Sequence, residues 1–385
     1  MTAPDSPAVD SPLYRPLRIR GLELPNRIVM TPMTRTASPG GVPTEAVAQY
    51  YRRRAAGGTG LIVTEGVGID LPSAMDHPDV PNLHDPIARD GWRRVVDAVH
   101  EAGGRIAPQL WHVGPLFGAM RRVDDVAPMR PSGLWGEPGV TSYPQEYVDR
   151  SVTPTAAMTE SDIAAVIEAF ADAARTAADL GFDAIAIHGG HGYLLDAFLW
   201  SSTNRRDDDW GGDLLRRTAF PVAVVRAIRE AIGDEMPILY RFSQHKQQNY
   251  TARTAETPEE LGIVLGALVD AGVDVLDASS RRFDAPAFDG SDLSLAGWAK
   301  KTTGAISMAV GSVGLGKSLR DGRLAGPTVE SVDNIAELER RMGADEFDLA
   351  GIGRLHLADP RIAETLRQRG PLPEFDRRRH EAVLT

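Results

Sequence analysis

Residues 184–193 read AIAIHGGHGY, and this stretch decides how the rest of the chain is interpreted. Four apolar residues followed by paired glycines predict a short buried strand that ends in a tight turn. His188, His191 and Tyr193 stand at and just after that turn. In barrels and open parallel sheets, residues past the carboxyl end of a strand line the binding site. Two imidazoles and a phenol there predict a site that holds a carbonyl oxygen and delivers a proton.

Two other interpretations of this stretch stay open from the sequence alone. It fits an ordinary strand-to-helix loop with solvated histidines, because such loops are polar in general. The His-x-x-His spacing also supplies two imidazoles for a metal ion, as in a metal-dependent TIM-barrel hydrolase. No third ligand follows at a recognisable spacing, which weighs against the metal site.

The composition excludes several classes of protein. The 385 residues are 42% hydrophobic and 25% charged, which is typical of a soluble globular enzyme. Cysteine is absent, which excludes disulfides, thiolate nucleophiles and cysteine-bound clusters. The net charge of −11 argues against a nucleic-acid partner. No secretory signal and no apolar run of about 18 residues is present, so we expect a cytoplasmic protein without a membrane partner.

Short apolar runs alternate eight times with helix-like segments along the chain. We predict strands at Ile28–Met30, Leu61–Thr64, Ile106–Leu110, Ala184–Ile187, Ile238–Phe242, Val273–Asp277, Ile306–Val310 and Phe347–Ala350. We predict helices at Glu45–Ala56, Asp85–Ala102, Glu160–Leu180, Leu214–Ile232, Pro258–Ala271, Leu293–Thr303, Val329–Met342 and Pro360–Arg367. Strict alternation indicates parallel strands joined by crossover helices. Eight such units favour an α/β fold of the (β/α)8 TIM-barrel type over an open doubly wound sheet, since no G-x-G-x-x-G opens an early helix.

The domain organisation follows from the same pattern. We predict a disordered leader at residues 1–12, a single barrel domain at residues 13–370 and a C-terminal tail at residues 371–385. Residues 113–158 form a long insertion after the third strand, and an insertion of this length is usually functional, so we interpret it as a lid over the barrel mouth. In the tail, Arg377–Arg379 is expected to be a solvated charge run, with an inter-subunit contact as the alternative.

The other candidate site residues stand at the carboxyl ends of the predicted strands. They are Pro32, Met33, Thr34, Gly66, Gln109, Trp111, Arg241, Gly311, Gly353 and Arg354. Glycines after the seventh and eighth strands let backbone N–H groups approach an anion, and Arg354 adds a guanidinium fork, which predicts a phosphate site. The amide of Gln109 and the cation of Arg241 suit the pyrimidine edge of a flavin. An ion pair of Arg241 with Glu65 or Asp277 is the alternative.

With these residues in place, the chain resembles the old yellow enzyme family of FMN-dependent ene-reductases. The motifs that carry the resemblance are Leu24–Val29 (LPNRIV), Pro32–Thr34 (PMT), Gln109–Trp111 (QLW), His188–Tyr193 (HGGHGY), Asn204–Asp207 (NRRD), Gly211–Gly212, Arg241 and Gly353–Arg354. Their order and spacing match from Leu13 to Arg369, which is more specific than any single motif.

The resemblance implies that FMN binds non-covalently at the barrel mouth. The residues it places around FMN are Pro32, Met33, Thr34, Gly66, Gln109, Arg241, Gly311, Gly353 and Arg354. The Thr34 hydroxyl is expected to bond the flavin O4, Gly66 to leave room beside the ring, and Arg354 with the two other glycines to hold the phosphate. Threonine rather than cysteine at position 34 implies the threonine-type flavin environment of the family.

The resemblance also implies the reaction. NADH or NADPH is the reductant, and its hydride passes through flavin N5 to the β-carbon of an α,β-unsaturated carbonyl compound. His188 and His191 are expected to bind the carbonyl oxygen, Tyr193 to protonate the alkene carbon, and Trp111 to wall the substrate pocket. A flavin-dependent redox isomerase or dehydrogenase of secondary metabolism is the alternative on the same fold, and a homo-oligomer is compatible with the family. The polar stretch at residues 243–248 is interpreted either as a loop that touches substrate or nicotinamide, or as a solvated face.

Overall fold

Eight parallel strands form a closed barrel in the computed structural model, which describes residues 10–317 and 327–385. The strands are β1 (Ile28–Met30), β2 (Leu61–Gly68), β3 (Ile106–Trp111), β4 (Ile185–His188), β5 (Ile238–Phe242), β6 (Val275–Ser279), β7 (Ile306–Val310) and β8 (Leu349–Ile352). β8 pairs in parallel with both β7 and β1, which closes the sheet and leaves it without an edge. The prediction of a closed TIM barrel is therefore confirmed, and the open doubly wound sheet is excluded.

The helices of the described residues lie outside the barrel or in its loops. They are α1 (Glu45–Ala56), α2 (Pro86–Glu101), α3 (Gln145–Ser151), α4 (Glu160–Asp179), α5 (Leu194–Leu199), α6 (Ala219–Ile232), α7 (Pro258–Asp270), α8 (Leu295–Thr303), α9 (Ile335–Gly343), α10 (Arg354–Ala358), α11 (Ile362–Arg367) and α12 (Arg377–His380). Thr159 and Thr257 cap α4 and α7 with their side chains, because each hydroxyl accepts an otherwise unpaired N–H of the first turn. Within the described ranges, none of the helices combines the length and the apolar character needed to cross a membrane.

Four predicted helices begin at least two residues later than the sequence pattern suggested. The helices predicted from Leu214 and Leu293 begin at Ala219 and Leu295. The helix predicted from Val329 begins at Ile335, because Thr328–Val329 pairs instead with Phe375–Asp376 in a short antiparallel ladder. The helix predicted from Pro360 begins at Ile362. Strand β2 is longer than predicted and continues to Gly68. A bulge between Val63 and Gly66 shifts its register, and the strand stays paired with β3 on both sides of the bulge.

Apolar side chains fill the barrel interior and close one of its ends. Val29, Leu61, Leu239 and Met308 from the strands form one buried cluster. Leu22 and Leu24 belong to the same cluster and come from the antiparallel hairpin of Leu17–Ile19 and Leu22–Leu24. The hairpin precedes β1, so it seals the amino-terminal end of the barrel and leaves the carboxyl end open.

Three aspartates repeat one arrangement at the sealed end. Each aspartate stands just before an even-numbered strand (β4, β6 or β8). Its carboxylate accepts the N–H of the first or second residue of the strand that comes before in the chain (β3, β5 or β7). The same carboxylate also binds a basic side chain of a neighbouring helix. The sets are Asp183 with Ile106 and His100, Asp274 with Ile238 and Arg229, and Asp348 with Ser307 and Lys300. Each carboxylate thereby joins two strands to a helix, because its two oxygens together accept from a backbone N–H and from a side chain at once.

The first described residues already pack on the rest of the chain. Residues 1–9 of the predicted leader lie outside the described residues, but Ser11 donates a hydrogen bond of 2.5 Å to Glu339 and Pro12 opens a short 3-10 turn, so ordered packing begins before residue 13.

The tail at residues 371–385 packs on the barrel instead of standing apart from it. Phe375 is 1% exposed, and Arg35 donates to the carbonyl oxygens of His380, Glu381 and Val383. Arg378 and Arg379 are exposed, as expected for a solvated charge run. The tail is held because its carbonyl groups satisfy the donors of a loop at the carboxyl end of the barrel.

Asp274→Ala is expected to lower the free energy of unfolding by about 3 kcal/mol, since it removes the carboxylate partner of the half-buried Arg229 guanidinium and leaves the Ile238 N–H without an acceptor. Urea titration followed by tryptophan fluorescence measures this difference. The matched control is Asp172→Ala, which removes an exposed pair with Arg175 and should cost less than about 0.5 kcal/mol. Equal losses in the two variants would show that the three-aspartate arrangement does not stabilise the barrel.

Candidate active site

The register of the parallel strands brings the candidate residues to one level. His188 of β4 lies opposite Arg241 of β5, and Arg241 lies opposite Asp277 of β6. On the other side, Gly66 of β2 lies opposite Gln109 of β3. These positions all stand at the carboxyl ends of their strands, so their side chains face the open end of the barrel.

A cavity of about 780 Å³ occupies this open end. Every site residue predicted from the sequence lines it, namely Pro32, Met33, Thr34, Gly66, Gln109, Trp111, His188, His191, Tyr193, Arg241, Gly311, Gly353 and Arg354. The insertion at residues 113–158 contributes Ala119, Met120, Ser142, Tyr143 and Pro144 to the wall. One concave space with a few convergent polar groups is the usual form of a small-molecule site.

Four aromatic rings form one wall of the cavity. The imidazole of His188 stacks on Trp111 at 5.8 Å between ring centroids, with 19° between the planes. Tyr193 meets His188 edge to face at 4.6 Å and Trp111 at 5.0 Å, and His191 meets His188 at 5.1 Å. These contacts fix the two imidazoles and the phenol side by side.

His188 is buried, and His191 is half-buried and lines the same cavity, which makes the interpretation as a loop of solvated histidines wrong. His188 is 7% exposed, and its pKa lies well below 6.5, mainly because the ring is removed from water and secondly because Arg241 is positively charged. The pKa of His191 also lies well below 6.5, mainly because of desolvation and secondly because of the neighbouring His245. Both rings are therefore neutral at physiological pH, and each has one N–H to donate.

A metal centre at the two histidines finds no support in the described part of the chain. No group of three or more His, Cys, Asp or Glu side chains stands there in an arrangement that could hold an ion. The Nε2 atom of His191 instead lies 2.9 Å from the Ser279 hydroxyl. The Nδ1 atom of His188 has no hydrogen-bond partner among the described residues.

Arg241 forms an ion pair and also keeps a donor toward the cavity, so the two interpretations that the sequence left open are compatible. Its Nε donates to Asp277 Oδ2 at 2.7 Å, and the two side chains are 7% and 4% exposed. Its Nη2 has no partner in the described structure, and the same holds for Nε2 of Gln109, which is 3% exposed. A buried donor without an acceptor costs about 1–3 kcal/mol, so these atoms indicate that a polar ligand binds against them.

The predicted phosphate residues meet at another part of the cavity. Gly311 has a φ of 145°, and a Cβ there would lie 2.6 Å from the carbonyl oxygen of Ser280, so only glycine fits. Arg354 reaches toward the same loop and donates to the carbonyl oxygen of Lys317 at 2.8 Å. Burial lowers the pKa of Arg354 to about 10, which leaves its guanidinium charged at neutral pH. Glu381 of the tail lines the cavity as well, and nothing in the sequence pattern had marked it.

Gly66 is required sterically by its neighbour Trp111. A Cβ at this position would lie 2.1 Å from Cε3 of Trp111. The absence of a side chain therefore makes room for the indole of Trp111, which is the ring that carries His188 and Tyr193.

Several residues of the cavity wall carried no signal that the sequence pattern marked. Ser279, Tyr250 and Arg281 line the cavity, and the Ser279 hydroxyl lies within hydrogen-bond distance of His191. Ser243, of the polar stretch, accepts the N–H of His191 from behind the wall. Ser279 ends β6, so inspection of the sixth strand end would have found it. The polar stretch at residues 243–248 is not a solvated face, because some of its side chains line the cavity and others are fully buried.

Comparison with known proteins agrees with this geometry. The model of the NADH:flavin oxidoreductase / NADH oxidase family matches residues 12–372. The chain is 35% identical over 237 residues to 12-oxophytodienoate reductase 7 of Oryza sativa subsp. japonica, in an alignment that covers 58% of this chain and 56% of that protein. The match thus spans little more than half the length of this curated relative.

Two solved structures resemble the whole barrel. Morphinone reductase superposes with a TM-score of 0.76 at 28% identity, covering 97% of this chain and 92% of its own. The old yellow enzyme from Pichia sp. AKU4542 superposes with a TM-score of 0.78 at 25% identity, covering 97% and 91%. The family model spans nearly the whole chain and the barrel agrees throughout, so this protein belongs to the NADH:flavin oxidoreductase / NADH oxidase family, which confirms its resemblance to the old yellow enzymes.

Proposed function

We propose that the protein is an FMN-dependent oxidoreductase that reduces the C=C bond of α,β-unsaturated carbonyl compounds with electrons from NADH or NADPH. One observation carries the proposal: unpartnered buried nitrogens of Gln109, Arg241 and His188 face one cavity that also contains His191 and Tyr193. Family membership and the reductases among its relatives support the same reaction.

The residues of the cavity fit FMN. Nε2 of Gln109 and Nη2 of Arg241 are donors without acceptors, as the carbonyl oxygens and ring nitrogens of a flavin pyrimidine require. Pro32, Met33 and Thr34 follow β1 along the same wall, where the flavin ring is proposed to lie. Gly311, Gly353 and Arg354 provide close backbone approach and a charged fork, which suit the phosphate.

The proposed chemistry divides between cofactor and protein. When bound, FMN supplies the two-electron redox chemistry that links a reduced nicotinamide to an alkene. His188 and His191 hold the carbonyl oxygen of the enone, and their N–H groups stabilise the negative charge that develops on it. A preorganised hydrogen-bond donor of this kind typically stabilises the transition state by about 3 kcal/mol.

Tyr193 is proposed to deliver the proton at the α-carbon from its Oη. An ordinary phenol has a pKa of about 10, so it keeps its proton at neutral pH until a strongly basic carbon takes it. The edge-to-face contacts with Trp111 and His188 hold the phenol beside the imidazoles that bind the carbonyl.

The insertion at residues 113–158 is proposed to act as the lid of this cavity. Leu116, Trp135, Tyr147 and Val148 pack into a small core of their own, so the insertion has internal structure. Tyr143 and Tyr193 pack at the edge of that core, which connects the insertion directly to the proposed proton donor.

The spectrum of the purified protein tests the proposal directly. Protein incubated with FMN and desalted is expected to retain the yellow absorbance of a flavin and to consume NADH or NADPH when an enone such as 2-cyclohexenone is added without oxygen. A protein that stays colourless would exclude the proposed cofactor. A flavoprotein that converts substrate without net consumption of nicotinamide would be the redox isomerase instead.

Tyr193→Phe should slow the alkene-reducing half-reaction by at least about 100-fold, because the general acid is lost. Reduction of the flavin by the nicotinamide should stay nearly unchanged, and anaerobic stopped-flow absorbance separates the two halves. Tyr147→Phe is the control, because it removes a buried phenol oxygen outside the cavity. Equal slowing of both half-reactions in Tyr193→Phe would contradict the role of Tyr193.

His188→Ala combined with His191→Ala should weaken the binding of a phenol by about tenfold or more, since two hydrogen bonds to the ligand oxygen are lost. Titration of the flavin absorbance with 4-hydroxybenzaldehyde gives the dissociation constant. His84→Ala removes a partly exposed imidazole away from the cavity wall and serves as the control. An unchanged dissociation constant in the double variant would refute the proposed oxygen-binding pair.

A further inference from the structure

The turn that carries His191 and Tyr193 runs through two consecutive left-handed residues. The φ angles are 65° at His191 and 82° at Gly192. This region costs a non-glycine residue about 1 kcal/mol or more, so neighbouring groups must hold His191 in it. What holds the turn therefore decides where the imidazole and the phenol point.

Hydrogen bonds from two segments hold both peptide groups of the turn. The N–H of Gly192 donates to Asp196 Oδ2 at 2.7 Å, and the N–H of His191 donates to Ser243 Oγ at 2.8 Å. The carbonyl oxygen of His191 accepts from the N–H of Gln247 at 3.0 Å, and that of Gly192 accepts from Nε2 of Gln248 at 3.3 Å. The partners belong to α5 and to the polar stretch at residues 243–248.

A fully buried ion pair joins these two segments. Nζ of Lys246 lies 2.5 Å from Asp196 Oδ1, and the side chains are 0% and 1% exposed. Lys246 also donates to Thr254 Oγ1 at 2.5 Å, and the Thr254 hydroxyl donates to the carbonyl oxygen of Ser243 at 3.0 Å. Burying a charge is unfavourable without a partner, so each of the two ions depends on the other.

Neither ion touches the ligand space. Lys246 and Asp196 are absent from the walls of the cavity, whereas His191, Tyr193, His245 and Gln247 line it. The pair therefore stands directly behind the turn. Its carboxylate faces Gly192 with one oxygen and Lys246 with the other, and the bond from Gly192 is strengthened because its acceptor is ionised.

We propose that Lys246 and Asp196 are positioning residues that fix the turn so that His191 and Tyr193 face the cavity. Lys246 acts through the carboxylate: without its ammonium group the carboxyl oxygen is left uncompensated, the bond to Gly192 weakens, and the strained turn relaxes. The effect on catalysis rests on the proposed function, whereas the effect on the turn does not. This assigns a role to the most deeply buried cation of the polar stretch.

The test compares FMN-loaded Lys246→Met with the wild type by three measurements. Hydrogen exchange with mass spectrometry on peptides covering residues 186–196 should show exchange of the Gly192 N–H at least about tenfold faster. Isothermal titration calorimetry should show binding of 4-hydroxybenzaldehyde weakened about tenfold, as expected when both ligand-facing side chains move. Thermal unfolding reports the loss of stability separately.

Arg229→Met is the matched control. It breaks another ion pair of low exposure, with Asp274, whose two side chains are each 12% exposed, at the sealed end of the barrel. This variant should lose thermal stability, but its exchange at residues 186–196 and its affinity for the phenol should stay within about twofold of the wild type.

Lys246→Met combined with Asp196→Asn supplies the rescue. The asparagine oxygen can still accept from Gly192, and its amide can donate to Thr254 Oγ1, which lies 3.5 Å from Asp196 Oδ1. The double variant should therefore recover slow exchange and phenol affinity to within about threefold of the wild type. If Lys246 only fills space, the double variant should show the same exchange rate and phenol affinity as Lys246→Met alone.

The outcomes separate this inference from the proposed function. The inference would be overturned if Lys246→Met exchanged at residues 186–196 as slowly as the wild type. It would also be overturned if Arg229→Met lost as much phenol affinity as Lys246→Met. If Lys246→Met does not fold, Thr254→Val removes one partner of the ammonium group, and unchanged exchange in that variant would overturn it as well. Faster exchange in a protein that reduces no enone would leave the positioning role standing and remove the proposed reaction.

Discussion

The parallel pairing that closes the barrel is the constraint on which the site depends. Once β8 pairs with both β1 and β7, the register of every strand is fixed by its neighbours. That register sets His188, Arg241 and Asp277 side by side at one end. The hairpin and the three half-buried aspartates occupy the opposite end. Stability and chemistry are thereby assigned to opposite ends of the same strands, as is usual in TIM barrels.

Burial has different consequences for the groups around the cavity. It keeps the imidazoles of His188 and His191 neutral, so they serve as hydrogen-bond donors rather than as cations. Nε2 of Gln109 and Nη2 of Arg241 are buried without hydrogen-bond partners in the described structure. These two donors indicate that a polar ligand binds beside them. Where a charge is required structurally, as at Lys246, the protein supplies a paired carboxylate. Around the cavity, these buried polar groups are either paired, as at Lys246, or are donors that a polar ligand could satisfy.

The sequence predicted the strand ends well because a strand end has a local signal. Glycines, prolines and polar residues interrupt apolar runs there, so every predicted site residue could be placed on the barrel mouth in advance. The helix start at Ile335 was less predictable, because long-range pairing of Val329 with Phe375 competes with local propensity. The contact of Gly66 with Trp111 had no sequence signal, since only the pairing of their strands brings the two residues close.

The sequence by itself determined the closed α/β barrel, the family and the set of candidate residues, because the alternation of strands and helices and the motifs are written in consecutive positions. Only the tertiary structure decided which side chains meet. The pairing of Lys246 with Asp196, the choice of Asp277 over Glu65 for Arg241, and the Ser279 contact of His191 all join residues that are far apart in the chain. Such contacts depend on strand register and loop packing, and neither of these is encoded by spacing along the chain.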